Sequence, residues 1–320
     1  MSILHATLPG DLETRRAEAE RFLAPIRSLY PFEPRFHDHD GLVQHFVDEG
    51  PSDGPPLLFL HGNPTWSFLW RDAIQALSAR YRCVAPDHVG CGLSDKPQGW
   101  SYRLADHAEN ALALVEALDL RDVTLVVHDW GGAIGCALAR RAPERIARLV
   151  VTNTAAFRAP RIPFRIAVCR TPLFGKLAVR GLNAFARAAT KMTTVRPLAP
   201  AVKRGYLLPY DSWEARIATH AFVEDIPMKP GHPSWDELVA TEDALDDLAD
   251  RPTAIFWGNR DWCFSPEFRT EWERRFPEAR VHAFDDAGHY LLEDAGDRIL
   301  PLLGDFLEST ARAAGRGTTR

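Results

Sequence analysis

Six short runs rich in Val, Ile, Leu and Phe punctuate the chain: PLLFLHG (56–62), RCVAPDHVG (82–90), VTLVVHD (123–129), ARLVVTNT (147–154), TAIFWGNRD (253–261) and RVHAFDDAGH (280–289). Each reads as a fully buried strand. Between most of them the apolar positions switch to helical spacing, as in WSFLWRDAIQALSAR (66–80), HAENALALVEALDL (107–120) and GGAIGCALARRAPERI (131–146). Such alternation predicts an α/β fold with a mostly parallel central sheet flanked by helices on both faces. GLVQHFVDEG (41–50) is expected to add an antiparallel pair at the edge, and DRILPLLGDFLESTARAA (297–314) a closing helix.

The alternation breaks at 157–235. That stretch holds several prolines, many arginines and aromatic-bearing helical pieces, LFGKLAVRGLNAFARAA (173–189) and WEARIATHAFVEDI (213–226), but no clear buried strand. The expectation is a helical cap, residues 157–235, inserted between two parts of one core, 1–156 and 236–320. It should lie over the carboxyl ends of the strands, where open α/β sheets bind ligands, and enclose a pocket. Helices that merely extend the core are the plainer alternative.

Composition narrows the class. With 320 residues, 46 % of them apolar and 25 % charged, the chain suits one large core with an insertion. The formal charge is −5 and no segregated block of either sign stands out, so neither a nucleic-acid surface nor a polybasic membrane anchor is expected. Small molecules are the expected partners. Cys83, Cys91, Cys136, Cys169 and Cys263 are odd in number and scattered, without zinc-type spacing, and read as reduced core thiols. Neither a metal nor a cofactor is called for. MSILHATLPGDLETRR (1–16) lacks the apolar centre of a signal peptide, and no later run reaches the length of a membrane span, so a cytoplasmic location is expected.

The candidate chemistry begins at VTLVVHDWGGAIG (123–135), a strand running into a glycine-rich helix start with Asp129 at the turn. An acid there commonly serves only as an N-cap. The same place, on a sharp strained turn above a sheet, also suits a nucleophile. A nucleophile needs a histidine base on a late loop and an acid to orient it. DAGHYLLED supplies His289, between the last apolar run and the closing helix, and WGNRD places Asp261 at the end of the preceding strand. The loop after ARLVVTNT reads NTAAF and has no carboxylate, so the orienting role falls to Asp261. A carboxylate nucleophile is already ionised at neutral pH. His289 is then free to direct water at a covalent ester or anhydride on Asp129.

Negative charge must also be received. Asn63, in HGNPTWSFLWR, has two amide hydrogens, and Trp130 an indole N–H with no acceptor. Together they suit a halide or an oxyanion, with their backbone N–H groups placed for an oxyanion hole. Singly, Asn63 is an ordinary turn residue before Pro64 and Trp130 an ordinary core aromatic. The ordered set is what points to a site. His128 and Asp87 are expected to brace loops.

HGNPTW, PDHVGCGLSDKP, HDWGGAIG and DAGHYLLED resemble the motifs of the haloalkane dehalogenases, the Asp-nucleophile group of the α/β-hydrolase fold. More closely they resemble the bacterial β-lactone decarboxylases of long-chain olefin biosynthesis. NTAAF, GYLLPYDSW, FVEDIP and WGNRDWCF extend the similarity over nearly the whole chain. Val127 stands where serine enzymes have their first elbow glycine, which the aspartate members commonly lack too. The resemblance implies Asp129 as nucleophile, His289 as base, Asp261 as its partner, and Asn63 with Trp130 as the anion-stabilising pair. It also implies a cis-3,4-dialkyl β-lactone as substrate, a cis-olefin and carbon dioxide as products, and association with the condensing enzyme of that pathway. The rivals are a haloalkane dehalogenase, an epoxide hydrolase using Tyr206 and Tyr210 as acids, and a binding module that kept the fold.

Overall fold

A computed structural model describes residues 12–317, with side chains to residue 311; the expectation of no signal peptide at 1–16 falls largely outside them. Eight strands form one sheet: β1 (Arg35–His39), β2 (Leu42–Glu49), β3 (Pro56–Leu60), β4 (Arg82–Pro86), β5 (Val123–Asp129), β6 (Ile146–Thr154), β7 (Thr253–Gly258) and β8 (Arg280–Phe284). Their spatial order is β1-β2-β4-β3-β5-β6-β7-β8. β1, β2 and β4 pair antiparallel, and every other pairing is parallel.

The apolar runs form strands because both of their faces are covered. Side chains alternate across a strand. Leu57 and Phe59 of β3, Val126 of β5 and Phe256 of β7 join one apolar cluster; Leu58, Leu60, Leu125, Val127, Ile255 and Trp257 join the other. The first cluster is closed by α1 (Leu12–Leu23), α2 (Arg71–Leu77) and α12 (Leu291–Gly317, interrupted at Ala295). The second is closed by α3 (Leu104–Ala117), α4 (Trp130–Arg141), α10 (Trp235–Asp243) and Trp272 of α11 (Pro266–Arg275).

Two strand expectations change. β8 is the outer strand, with Phe284 alone of its residues buried, because it has a neighbour on one side only. At the opposite edge, β1 reads RFHDH and carries no apolar run, so the pattern of hydrophobic positions does not reveal it. Between β6 and β7 the chain leaves the sheet and forms α5 (Phe164–Cys169), α6 (Phe174–Lys176), α7 (Ala184–Met192), α8 (Pro200–Leu207) and α9 (Ile217–Glu224). The helix expected at 173–189 is broken after a wide turn at Leu177–Gly181, where Asn183 adopts a left-handed conformation.

Candidate active site

β5 ends at Asp129, whose φ of 52° and ψ of −125° lie outside the ordinary regions for an L-residue. Its side chain makes no hydrogen bond that caps α4, so the capping role does not account for it. The elbow instead lifts the carboxylate toward the loop after β3. There the Asn63 backbone N–H donates to Oδ1 at 2.6 Å. Gly62 makes that approach possible, because a Cβ at this position would overlap the Asp129 carboxylate. On the other side of the turn, the Thr154 hydroxyl donates to the Asp129 carbonyl oxygen.

His289 lies between β8 and α12 with Nε2 3.7 Å from Asp129 Oδ2, while Nδ1 lies 2.8 Å from Asp261 Oδ2. A carboxylate only accepts, so Nδ1 carries the hydrogen and neutral His289 presents the Nε2 lone pair to Asp129. Asp261 follows β7 directly. Its Oδ1 accepts the Cys263 N–H at 2.7 Å, and its Oδ2 also accepts from Asn153 Nδ2 at 2.9 Å.

Burial governs the electrostatics. Desolvation pushes the Asp129 carboxyl above the usual aspartate value, against the charge of His289 and the N–H groups of Asn63 and Trp130, which favour the anion. For His289, burial alone disfavours the imidazolium, but the charge and hydrogen bond of Asp261, then the charge of Asp129, outweigh it and raise its pKa. His128 is held neutral, by burial first and then by the positive charge of His289.

Asn63, Asp129, Trp130 and His289 line one cavity of about 710 Å³, and Asp261 stands behind His289. The remaining walls are largely apolar, with Phe157, Ile166, Met192, Val223, Met228 and Phe264 among them. One expectation for Asn63 is amended: a hydrogen of its amide is committed to Thr219 O at 3.0 Å, fixing the side chain against α9. Trp130 is half-buried and packs on Phe222, with ring centroids 5.2 Å apart. The braces are as expected. His128 Nε2 donates to His289 O at 2.9 Å, and Asp87 accepts from the N–H groups of Ser67 and Leu93.

Tyr206 and Tyr210 do not line the cavity. Tyr206 donates to Glu293 at 2.6 Å and Tyr210 to Thr65 O at 3.1 Å, which removes the proton donors an epoxide opening would require. Two residues escaped the sequence reading. Asn153, with φ of 35°, accepts the Gly258 N–H at 2.8 Å and donates to Asp261, tying the end of β6 to the acid. Asp294 accepts the Gly288 N–H at 2.8 Å and the Val195 N–H at 2.9 Å, steadying the His289 loop. Asn153 opens the NTAAF loop, which holds no carboxylate, and its amide is the polar group there that reaches Asp261. Among the described residues, no group of three or more His, Cys, Asp or Glu is arranged to hold a metal ion, and all five cysteines are free.

A family model described as the α/β hydrolase fold matches residues 55–296. The chain belongs to the α/β hydrolase fold family. Within it, two relatives named cis-3-alkyl-4-alkyloxetan-2-one decarboxylase are similar over most of their length. That of Shewanella oneidensis is 41 % identical, covering 90 % of this chain and 92 % of the relative. That of Xanthomonas campestris is 42 % identical, covering 87 % and 97 %. Haloalkane dehalogenase 2 of Mycobacterium tuberculosis is more distant, at 33 % identity over 86 % of this chain and 95 % of that one. Among solved structures, the haloalkane dehalogenase DbeA of Bradyrhizobium elkani superposes on this α/β hydrolase with a TM-score of 0.80. It is 28 % identical and covers 88 % of this chain and 99 % of that chain.

Proposed function

We propose that this α/β hydrolase is a cis-3-alkyl-4-alkyloxetan-2-one decarboxylase with Asp129 as its nucleophile. The observation that carries the reading is one apolar cavity of about 710 Å³ with Asp129 and His289 in its wall. Two alkyl chains need such a volume, whereas a small haloalkane does not. The identity to two decarboxylases, above that to the dehalogenases, points the same way. In this reading residues 157–235 act as a cap that keeps water from the reacting centre, and the site of action is cytoplasmic.

The chemistry follows from which oxygen is free. Oδ1 of Asp129 is held by the Asn63 backbone N–H, so Oδ2 attacks C4, the alkyl-bearing ring carbon bonded to the ring oxygen. That C–O bond breaks, relieving ring strain, and leaves an alkyl ester of Asp129 beside a new carboxylate. Asn63 and Trp130 receive the carboxylate as they would a halide. Loss of carbon dioxide from the neighbouring carbon then forms the double bond and expels Asp129. Inversion followed by anti elimination keeps the two alkyl groups cis, and no water enters the balance. With a haloalkane the ester has no carboxylate to lose, and His289 directs water at it instead. The deciding experiment incubates the purified protein with a cis-β-lactone and, separately, with 1-bromoalkanes. Olefin from the lactone is expected, with slower bromide release from the 1-bromoalkanes; bromide without olefin would transfer the assignment to dehalogenation.

A further inference from the structure

We propose that the face formed by α5, α6 and α7 docks on an anionic lipid surface, bringing the mouth of the cavity against the membrane. Among the described residues, five of the eight exposed large apolar side chains, Phe164, Leu173, Phe174, Leu177 and Leu182, fall at 164–182 with exposures of 59–81 %; the other three reach only 40–46 %. Phe164 and Phe174 also line the cavity, so this ridge forms part of its rim. Leu173, Phe174 and Leu177 are spaced to share one side of the turn. Ridges of this kind are rare on a surface that meets only water.

The charge along this stretch of the chain is one-sided, and the acids near it, Glu224 and Glu267 among them, come from other elements. Residues 157–210 contain eleven Lys and Arg and no Asp or Glu, while the rest of the chain, 38 less these eleven, sets 27 bases against all 43 acids. The modest total had concealed this segregation. Arg161, Arg165, Lys176, Arg187 and Lys191 are exposed, and Arg165 lies over the Trp262 ring. On α7, Ala186, Ala189 and Thr190 turn inward, while Arg187 and Lys191, four residues apart, turn out.

Apolar side chains set among cations match a layer of anionic headgroups above acyl chains. A nucleic-acid backbone supplies the charge but no apolar layer for leucine and phenylalanine. A second copy meeting the same face would oppose like charges. The acidic remainder of the molecule is repelled by the same lipid surface and so favours one orientation. No helix among the described residues is long and apolar enough to cross a membrane, which leaves peripheral binding as the mode.

The test is sedimentation of the full chain with vesicles. Binding is expected to phosphatidylcholine vesicles holding roughly 30 % phosphatidylglycerol, to be at least about tenfold weaker without the anionic lipid, and to fall in about 0.5 M salt. Lys176→Glu/Arg187→Glu/Lys191→Glu should weaken it roughly tenfold or more, each cation carrying about a factor of five. Leu173→Ser/Leu177→Ser/Leu182→Ser should do the same, with circular dichroism confirming that both variants fold. Absence of binding to anionic vesicles at low salt overturns the proposal, whatever the variants do. So does a dimer in sedimentation velocity, without vesicles, that the leucine variant abolishes. The readout needs no turnover, so it stands apart from the assignment of the reaction.

Discussion

At Asp129 one carboxylate oxygen accepts the Asn63 backbone N–H at 2.6 Å and the other faces His289 at 3.7 Å, a division of labour that makes separable predictions. Asp129→Asn keeps the shape and removes the nucleophile, so olefin and bromide release should both vanish. His289→Ala should release about one bromide per enzyme from a 1-bromoalkane and stop, with the alkyl adduct on Asp129 visible by intact mass. The pH profile follows from the raised pKa of His289. Directing water requires neutral imidazole, so bromoalkane turnover should fall as pH drops through a value above 6.5. In Asp261→Asn the carboxylate that outweighs burial is gone, and this acid limb should move to lower pH. An unmoved limb would mean that Asp261 does not set the imidazole's charge. The same shift feeds stability with opposite sign: the contribution is full below the unfolded value near 6.5 and is lost as pH rises through the higher folded one.

At the scale of elements, legibility tracked burial. β3, β5 and β7 are covered on both faces, so their sequences are unbroken apolar runs, and the elbow after β5 announces itself by the glycines that let α4 close on the sheet. β1 and most of β8 sit at the rims, where polar and exposed side chains erase the signal. The five candidate residues were legible because each follows a strand or elbow, and strand ends converge on one side of a parallel sheet. Asn153 was not, since a hydrogen-bonding amide has no distinguishing spacing. Its replacement tests the link between β6 and β7: Asn153→Ala frees the buried Gly258 N–H and removes a donor from Asp261. A loss of about 1–3 kcal/mol in denaturant unfolding is expected. A fall in kcat with KM little changed should accompany it, since the residue acts through Asp261 and not on substrate. The elbow itself is tested by Gly62→Ala, whose methyl would meet the Asp129 carboxylate and should abolish turnover.

At the scale of the whole molecule, the helices between β6 and β7 are fastened to the core by a buried ionic knot. Arg71 at the start of α2 is 3 % exposed and holds Glu293 of α12 through two hydrogen bonds of 2.6 and 2.9 Å, and Tyr206 of α8 donates to the same carboxylate at 2.6 Å. Burial alone would lower the pKa of Arg71, but the hydrogen bond of Glu293 and the nearby charges outweigh it and keep the guanidinium ionised. Glu293→Gln therefore leaves the buried Arg71 with only the half-exposed carboxylate of Asp72, at 3.2 Å, against its charge, and a loss toward the lower end of about 3–5 kcal/mol is expected from denaturant unfolding. Charge, not shape, should account for that loss. Replacing all three members at once, Arg71→Met/Glu293→Leu/Tyr206→Phe, removes the under-compensated cation together with its buried partners and should recover most of the stability. If the triple variant is no more stable than Glu293→Gln, the knot contributes through packing geometry and not through the balance of buried charge. Olefin formation by the triple variant then reports whether α8 must be fixed at this point for the cavity to keep its walls.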